Sequence, residues 1–171
     1  ERCMRRFFVK NPVKLIVSGA PQKEAVLKNH PNKPEMEQRS IATSGTFLIP
    51  KTDFDAIVTG ETFRLKDLYN VTIMERSDSG MVVKYEGDNG LAAKKIQWVV
   101  PGEAVSCKVK VPKDLLDEEG NFVPDSLHIE EGVCEKSCLA LDIGATVQFE
   151  RYGYAKLDKK EDNGLTFIFS C

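Results

Sequence analysis

Apolar residues recur at every second position in short runs along most of the chain, a period that sends successive side chains to opposite faces of a strand. Such runs occupy residues 12–17, 46–49, 62–65, 71–74, 81–85, 96–100, 104–111, 146–150 and 166–169; they are rich in β-branched or aromatic residues and are broken by Gly, Pro or Asn. No segment carries the long apolar stripe of a surface helix. Two stretches, 51–54 and 113–117, read as single helical turns. Ser77-Asp78-Ser79-Gly80 separates two alternating runs and predicts a hairpin, and residues 87–90 and 118–121 read as turns that end strands. In 104–111, Val105, Cys107, Val109 and Val111 face a core while Ser106, Lys108 and Lys110 face outward, where the lysines are solvated or meet phosphate. Many short strands joined by polar turns predict an all-β fold closed into barrels or a sandwich, because closure removes exposed sheet edges.

Composition adds limits. A chain of 171 residues, 42% hydrophobic and 29% charged, can build one good core or two small ones. Its formal net charge of -2 gives no general attraction for phosphate, so any nucleic-acid surface must be local. The charge is uneven: Arg2, Arg5, Arg6, Lys10 and Lys14 stand against Glu1 alone at the start, whereas Asp114, Asp117, Glu118 and Glu119 form an acidic cluster. The odd set Cys3, Cys107, Cys134, Cys138 and Cys171 favours free thiols in a reducing cytosol. Cys134 and Cys138 lack a second Cys or His pair at metal-finger spacing, so no metal site is expected. No apolar run approaches the roughly 20 residues of a membrane span, which predicts no membrane partner. An opening in charged residues without Met predicts a processed terminus or a piece of a larger protein.

Candidate chemistry concentrates late in the chain. Gln148-Phe149-Glu150-Arg151-Tyr152-Gly153-Tyr154 puts an amide, a guanidinium and two phenol rings within one short run, the groups that read and stack unpaired bases. In a regular strand Gln148, Glu150 and Tyr152 share one face, so Gln148 and Arg151 converge only if a bulge or loop re-aims Arg151. The alternative is a barrel strand with Phe149 in the core, a surface Glu150–Arg151 pair and packed tyrosines, or a protein interface, for which Arg and Tyr are equally apt. Earlier, Asn29-His30-Pro31-Asn32-Lys33-Pro34 is a stiff loop that displays amides and a lysine. His30 and His128 read as structural residues, and no Ser-His-Asp, Cys-His or Walker pattern points to catalysis.

Five motifs in chain order, across about residues 5 to 169, resemble one family. Asn11-Pro12-Val13-Lys14-Leu15, the Asn29 to Met36 loop, Arg64-Leu65-Lys66-Asp67-Leu68-Tyr69-Asn70-Val71, Ile96-Gln97-Trp98-Val99 and the run from Gln148 to Asp158 are similar to the C-terminal anticodon-binding region of class I glutamyl- and glutaminyl-tRNA synthetases of archaea and the eukaryotic cytosol. The resemblance implies that residues 1–171 form two distorted antiparallel β-barrels, proximal and distal, with the C-terminal part returning to the proximal barrel. It further implies a cytoplasmic protein whose partners are tRNA(Glu) and an upstream catalytic domain of the same chain, with no DNA or membrane partner. This region would hold no catalytic residue, metal or cofactor, while ATP and Mg would serve the full-length enzyme.

Carried onto this sequence, the resemblance implies that Arg5 contacts the first anticodon base and that Gln148 with Arg151 reads the central uracil. Asn32, Arg64 and Lys66 match positions lining the anticodon pocket or its backbone contacts, and Tyr152 or Tyr154 supplies a stack or supports the pocket. Ahead of Gly60 the glutaminyl branch commonly carries a Lys-Arg pair that engages the third anticodon base, where this chain has Asp55 and Ala56. That departure favours tRNA(Glu). The alternatives are a glutaminyl enzyme, a pocket that accepts tRNA(Gln) as well, and, in a different class, a protein-interaction β-barrel.

Overall fold

A computed structural model describes residues 3–90, 94–124 and 126–171, so Arg2 of the basic opening lies outside the described residues. The strands are β1 (Met4–Arg6), β2 (Phe8–Lys10), β3 (Pro12–Ser18), β4 (Lys23–Lys28), β5 (Gln38–Thr43), β6 (Thr46–Pro50), β7 (Thr62–Leu65), β8 (Asn70–Ser77), β9 (Gly80–Tyr85), β10 (Lys95–Ile96), β11 (Ala104–Pro112), β12 (Leu127–Glu135), β13 (Thr146–Phe149), β14 (Gly153–Glu161) and β15 (Gly164–Phe169). A short helix, α1 (Lys51–Ala56), follows β6. The all-β expectation holds, in two nearly closed barrel-like sheets.

One sheet runs β10-β7-β8-β9-β3-β6. It closes where Leu48 on β6 and Val99, just past β10, exchange backbone hydrogen bonds of 2.8 and 3.1 Å. A second runs β1-β13-β14-β15-β11-β12-β2, its two ends joined through the single residue Phe7, and β4 and β5 pair as a separate two-stranded sheet. The chain therefore starts in the seven-stranded sheet, crosses into the six-stranded one at β3 and returns from β11 onward. Most pairs are antiparallel, but β1/β13, β3/β9, β7/β10 and β11/β15 are parallel and join segments far apart in sequence.

Each of the two larger sheets covers its own core. Leu15, Phe47, Phe63, Tyr69 and Trp98 fill the first, and Val109, Phe149, Leu157 and Phe167 the second. The adjacent Phe7 and Phe8 divide between them, as opposite side-chain directions along a strand require. Phe7 packs 5.7 Å from Trp98, and Phe8 packs 5.2 Å from Phe149.

Local departures have local causes. Residues 113–117 do not form the expected helical turn: Leu116 bridges Phe122, and Asp117 Oδ1 accepts the backbone N–H of Glu119 at 3.0 Å and of Asn121 at 2.8 Å. A short acidic side chain that bonds backbone two to four residues ahead favours a turn over a helix. The strand expected over 96–100 is reduced to Lys95–Ile96 and the Val99 bridge. The Ser77–Gly80 hairpin is present between β8 and β9. On β11, Cys107 and Val109 are buried, while Lys108 and Lys110 lie 3.7 Å from Glu131 and 3.5 Å from Asp158. All five cysteines are free thiols, and hydrogen bonding to Cys107 together with burial pushes the Cys134 thiol well up.

Candidate nucleic-acid interface

The parallel pairing of β1 with β13 sets Arg5 beside Gln148 across 143 residues of chain, and the Arg5 Nε–H donates to Gln148 Oε1 at 3.1 Å. Arg5 also lines a cleft of about 300 Å³ with Lys28, Pro31, Gln38, Lys66 and Glu150. Lys66 and Glu150 form an ion pair there. Burial, with repulsion from Arg5, Arg39 and Lys95 against the attraction of Asp67, pulls the Lys66 ammonium below its ordinary value. A second cleft of about 360 Å³, lined by His30, Asn32 and Lys33, shares Lys28, Pro31 and Gln38 with the first. Arg5 and Lys66 on one side and Asn32 on the other therefore line two neighbouring clefts that share a wall.

The loop that carries Asn32 is held at its root. Asn29 Oδ1 accepts from Arg6 Nη1 at 2.8 Å, and its Nδ2 donates to the Met36 carbonyl at 3.0 Å. Within the loop His30 Nδ1 accepts the Asn32 N–H at 3.2 Å, which gives this histidine a structural role. With φ fixed at two prolines, the polar groups lose little freedom when they meet a ligand.

Gln148 lies within β13, but Arg151 sits in a turn. Phe149 pairs with Gly153, leaving residues 150–152 as a hairpin loop in which Arg151 has φ +61°. That left-handed residue is the loop that re-aims the side chain, and Gly153 is required beside it because a Cβ there would lie 2.6 Å from the Phe169 ring. Glu150 and Arg151 consequently do not pair with each other. Glu150 turns to Lys66, whereas Arg151 makes a two-pronged contact with Asp53 at 2.8 and 2.9 Å and donates to Gln97 at 2.6 Å. Asp53 and Gln97 are buried.

The remaining candidates lie around this centre or away from it. Tyr152 meets Phe8 edge-on at 5.0 Å and Phe169 at 5.7 Å, and its hydroxyl donates to Glu130, which also accepts from Lys10 at 2.6 Å. Burial and that hydrogen bond raise the Tyr152 phenol well above its ordinary value. Its ring supports the hairpin from the core side. Tyr154 is half-buried on β14, directly opposite Gln148. Arg64 lines neither cleft: it donates to Asn70 Oδ1 at 3.1 Å and to the Asp88 carbonyl at 3.3 Å, clasping the loop after β9.

Lys28, Gln38, Asp53 and Gln97 were not legible as site residues. Lys28 and Gln38 face each other across the β4/β5 hairpin, which the pattern did not reveal, and Asp53 meets Arg151 across 98 residues. Only the flanking of Lys28 by the proline loop offered a signal.

A sequence family described as tRNA synthetases class I (E and Q), anti-codon binding domain, matches residues 3–88, and a second of the same description matches residues 95–158. The chain belongs to this anticodon-binding family. Similar proteins include the glutamate–tRNA ligase of Methanocaldococcus jannaschii, 31% identical over 97% of this chain and 28% of that protein. Those of Methanoculleus marisnigri and Pyrococcus abyssi are each 34% identical over 97% of this chain, covering 27% and 28% of their own lengths. The chain thus spans little more than a quarter of the curated relatives it matches. The two matched stretches take in strands of both sheets and leave β15 outside, and the joint at Phe7 and the Gln148–Arg151 hairpin both fall inside them. Among the described residues no helix is long and apolar enough to cross a membrane.

Proposed function

We propose that this chain recognises the anticodon loop of tRNA(Glu) for a cytoplasmic glutamate–tRNA ligase. The observation that carries the reading is the meeting of Arg5 with Gln148 at 3.1 Å beside a cleft that adjoins the one lined by Asn32. Only the Nε–H of Arg5 is used in that bond, so the end of its guanidinium still offers four donors, and the Gln148 amide nitrogen offers two more. Donors on rigid strands match the carbonyl oxygens of an unstacked base, while Lys28 and Lys66 supply the positive charge that the chain as a whole lacks. Arg151 and Gln148 would read the central uracil, with Tyr152 and Tyr154 supporting the hairpin and Arg64 acting on backbone contacts or the shape of its loop.

The preference for glutamate tRNA draws on two supports. The relatives are glutamate–tRNA ligases, and Asp55, which by the resemblance stands where the glutaminyl branch carries its basic pair, offers a carboxylate paired with Lys51 at 2.9 Å in place of a cationic guanine reader. Adenylation chemistry, with its ATP and magnesium, belongs in this reading to regions outside the matched stretch. Binding here would orient the distant acceptor end, so that remote contacts raise the probability of a reactive complex. The test compares tRNAs that differ only at the third anticodon base. Preference for cytosine is expected; preference for guanine would reverse the assignment, and equal binding would make the pocket one that also accepts tRNA(Gln).

A further inference from the structure

We propose that Asp53 and Gln97 are positioning residues for base reading, holding the Arg151 guanidinium so that one edge of it faces the RNA. This rests on the anticodon-reading assignment above. A guanidinium has five N–H donors in a fixed plane. Asp53 accepts one hydrogen from Nη1 at 2.9 Å and one from Nη2 at 2.8 Å, which occupies the end of the fork, and Gln97 Oε1 accepts the second Nη1 hydrogen at 2.6 Å. Two donors remain, the Nε–H and the second Nη2–H. They lie parallel along one edge within the plane, the arrangement that makes two hydrogen bonds to a base edge.

Burial separates the holder from the reader. The Arg151 side chain is 42% exposed, against 5% for that of Asp53, so the carboxylate is fixed inside while the arginine it holds reaches solvent. The backbone contributes as well, since φ of +61° at Arg151 turns the side chain out of the strand pleat toward α1. Lys94 Nζ lies 3.3 Å from Asp53 Oδ1, so the carboxylate keeps a counter-charge when Arg151 is removed. The two anchors come from different places, Asp53 on α1 and Gln97 just after β10, and both belong to the part of the chain that builds the six-stranded sheet. Arg151 belongs to the other sheet's hairpin. The position of the reading edge is thereby fixed by the docking of one sheet on the other.

Binding of a tRNA(Glu) anticodon stem-loop with its central uracil, and of the same loop with cytosine there, is measured for the unaltered chain, Asp53→Asn, Arg151→Ala and the double variant. The unaltered chain is expected to prefer uracil by about tenfold or more. Asp53→Asn should reduce that ratio with little change on the cytosine loop, and the double variant should discriminate no worse than Arg151→Ala alone. A purely structural role predicts something else. If Asp53→Asn weakens both loops equally, or leaves the ratio intact, the positioning role is wrong. Should Asp53→Asn lose its cooperative thermal transition, Gln97→Leu applies the same test with the carboxylate retained. If the unaltered chain binds neither loop or shows no preference, the anticodon assignment fails first and the positioning role falls with it; if it discriminates and only the variants disagree, the positioning role fails alone.

Discussion

Replacing Glu135 with Gln should be among the most damaging single changes in this protein, although it alters one atom. The carboxylate accepts four hydrogen bonds: from Arg39 Nε at 2.5 Å, Arg39 Nη2 at 2.8 Å, the Phe7 N–H at 2.6 Å and the Ser137 hydroxyl at 2.7 Å. The side chains of Arg39 and Glu135 are 7% and 2% exposed. The amide keeps one accepting oxygen but turns a donor toward the others, and it leaves the guanidinium buried with no facing carboxylate. Removing one partner from a buried ion pair costs about 3–5 kcal/mol, because the remaining charge is uncompensated. At roughly 2–4 °C per kcal/mol for a domain of this size, the melting temperature should fall by roughly 6–20 °C. Calorimetry and urea unfolding followed by circular dichroism would measure it. Because Arg39 sits on β5 beside Gln38 and bonds the Lys28 carbonyl at 3.0 Å, the same change should loosen the hairpin wall of the candidate cleft. Arg39→Met combined with Glu135→Gln should cost less than the sum of the two single changes by about 2 kcal/mol. A Glu135→Gln variant within about 0.5 kcal/mol of the parent, or strict additivity, would refute the reasoning.

Two further outcomes follow from the site. Arg5→Ala and Gln148→Ala should each weaken binding of the anticodon stem-loop, but less than additively when combined, because each loses the partner that orients it at 3.1 Å; full additivity would mean that the two side chains act separately. At Glu130, burial favours the neutral acid, but hydrogen bonds from Lys10 and Tyr152 overcome it and hold the carboxyl below its ordinary value. Its stabilising contribution is therefore complete above the unfolded value of about 4.3 and is lost as pH falls through the lower folded value, so Glu130→Gln should flatten the acid limb of the stability curve; an unchanged limb would contradict that sign.

The sequence pattern was readable where a strand has one buried and one wet face. β3 alternates buried Val13, Leu15 and Val17 with exposed neighbours, and β7 buries Phe63 and Leu65, so their period of two survives in the fold. β4 has the same alternation of buried and exposed positions, but its residue types concealed it. Lys23 to Lys28 contains good helix formers, and it becomes a strand because β5 pairs with it residue for residue and Ala25 and Leu27 are buried. β1 holds three residues, two of them Arg, and it exists through parallel pairing with a strand about 140 residues away. The site divides in the same way. Residue types at 148–154 point to base chemistry, and the loop needed to redirect Arg151 was foreseeable from the strand period. Its partners were not, because nothing in a sequence states that the acid on one short helix turns inward to meet a hairpin of the other sheet.

The most direct measurement is equilibrium binding of the chain to a tRNA(Glu) anticodon stem-loop and to a stem-loop of identical length whose three anticodon bases are exchanged, at one fixed salt concentration. Several base contacts worth about 1–3 kcal/mol each predict that the native loop binds at least about tenfold more tightly. Equal affinity for the two loops would contradict the account.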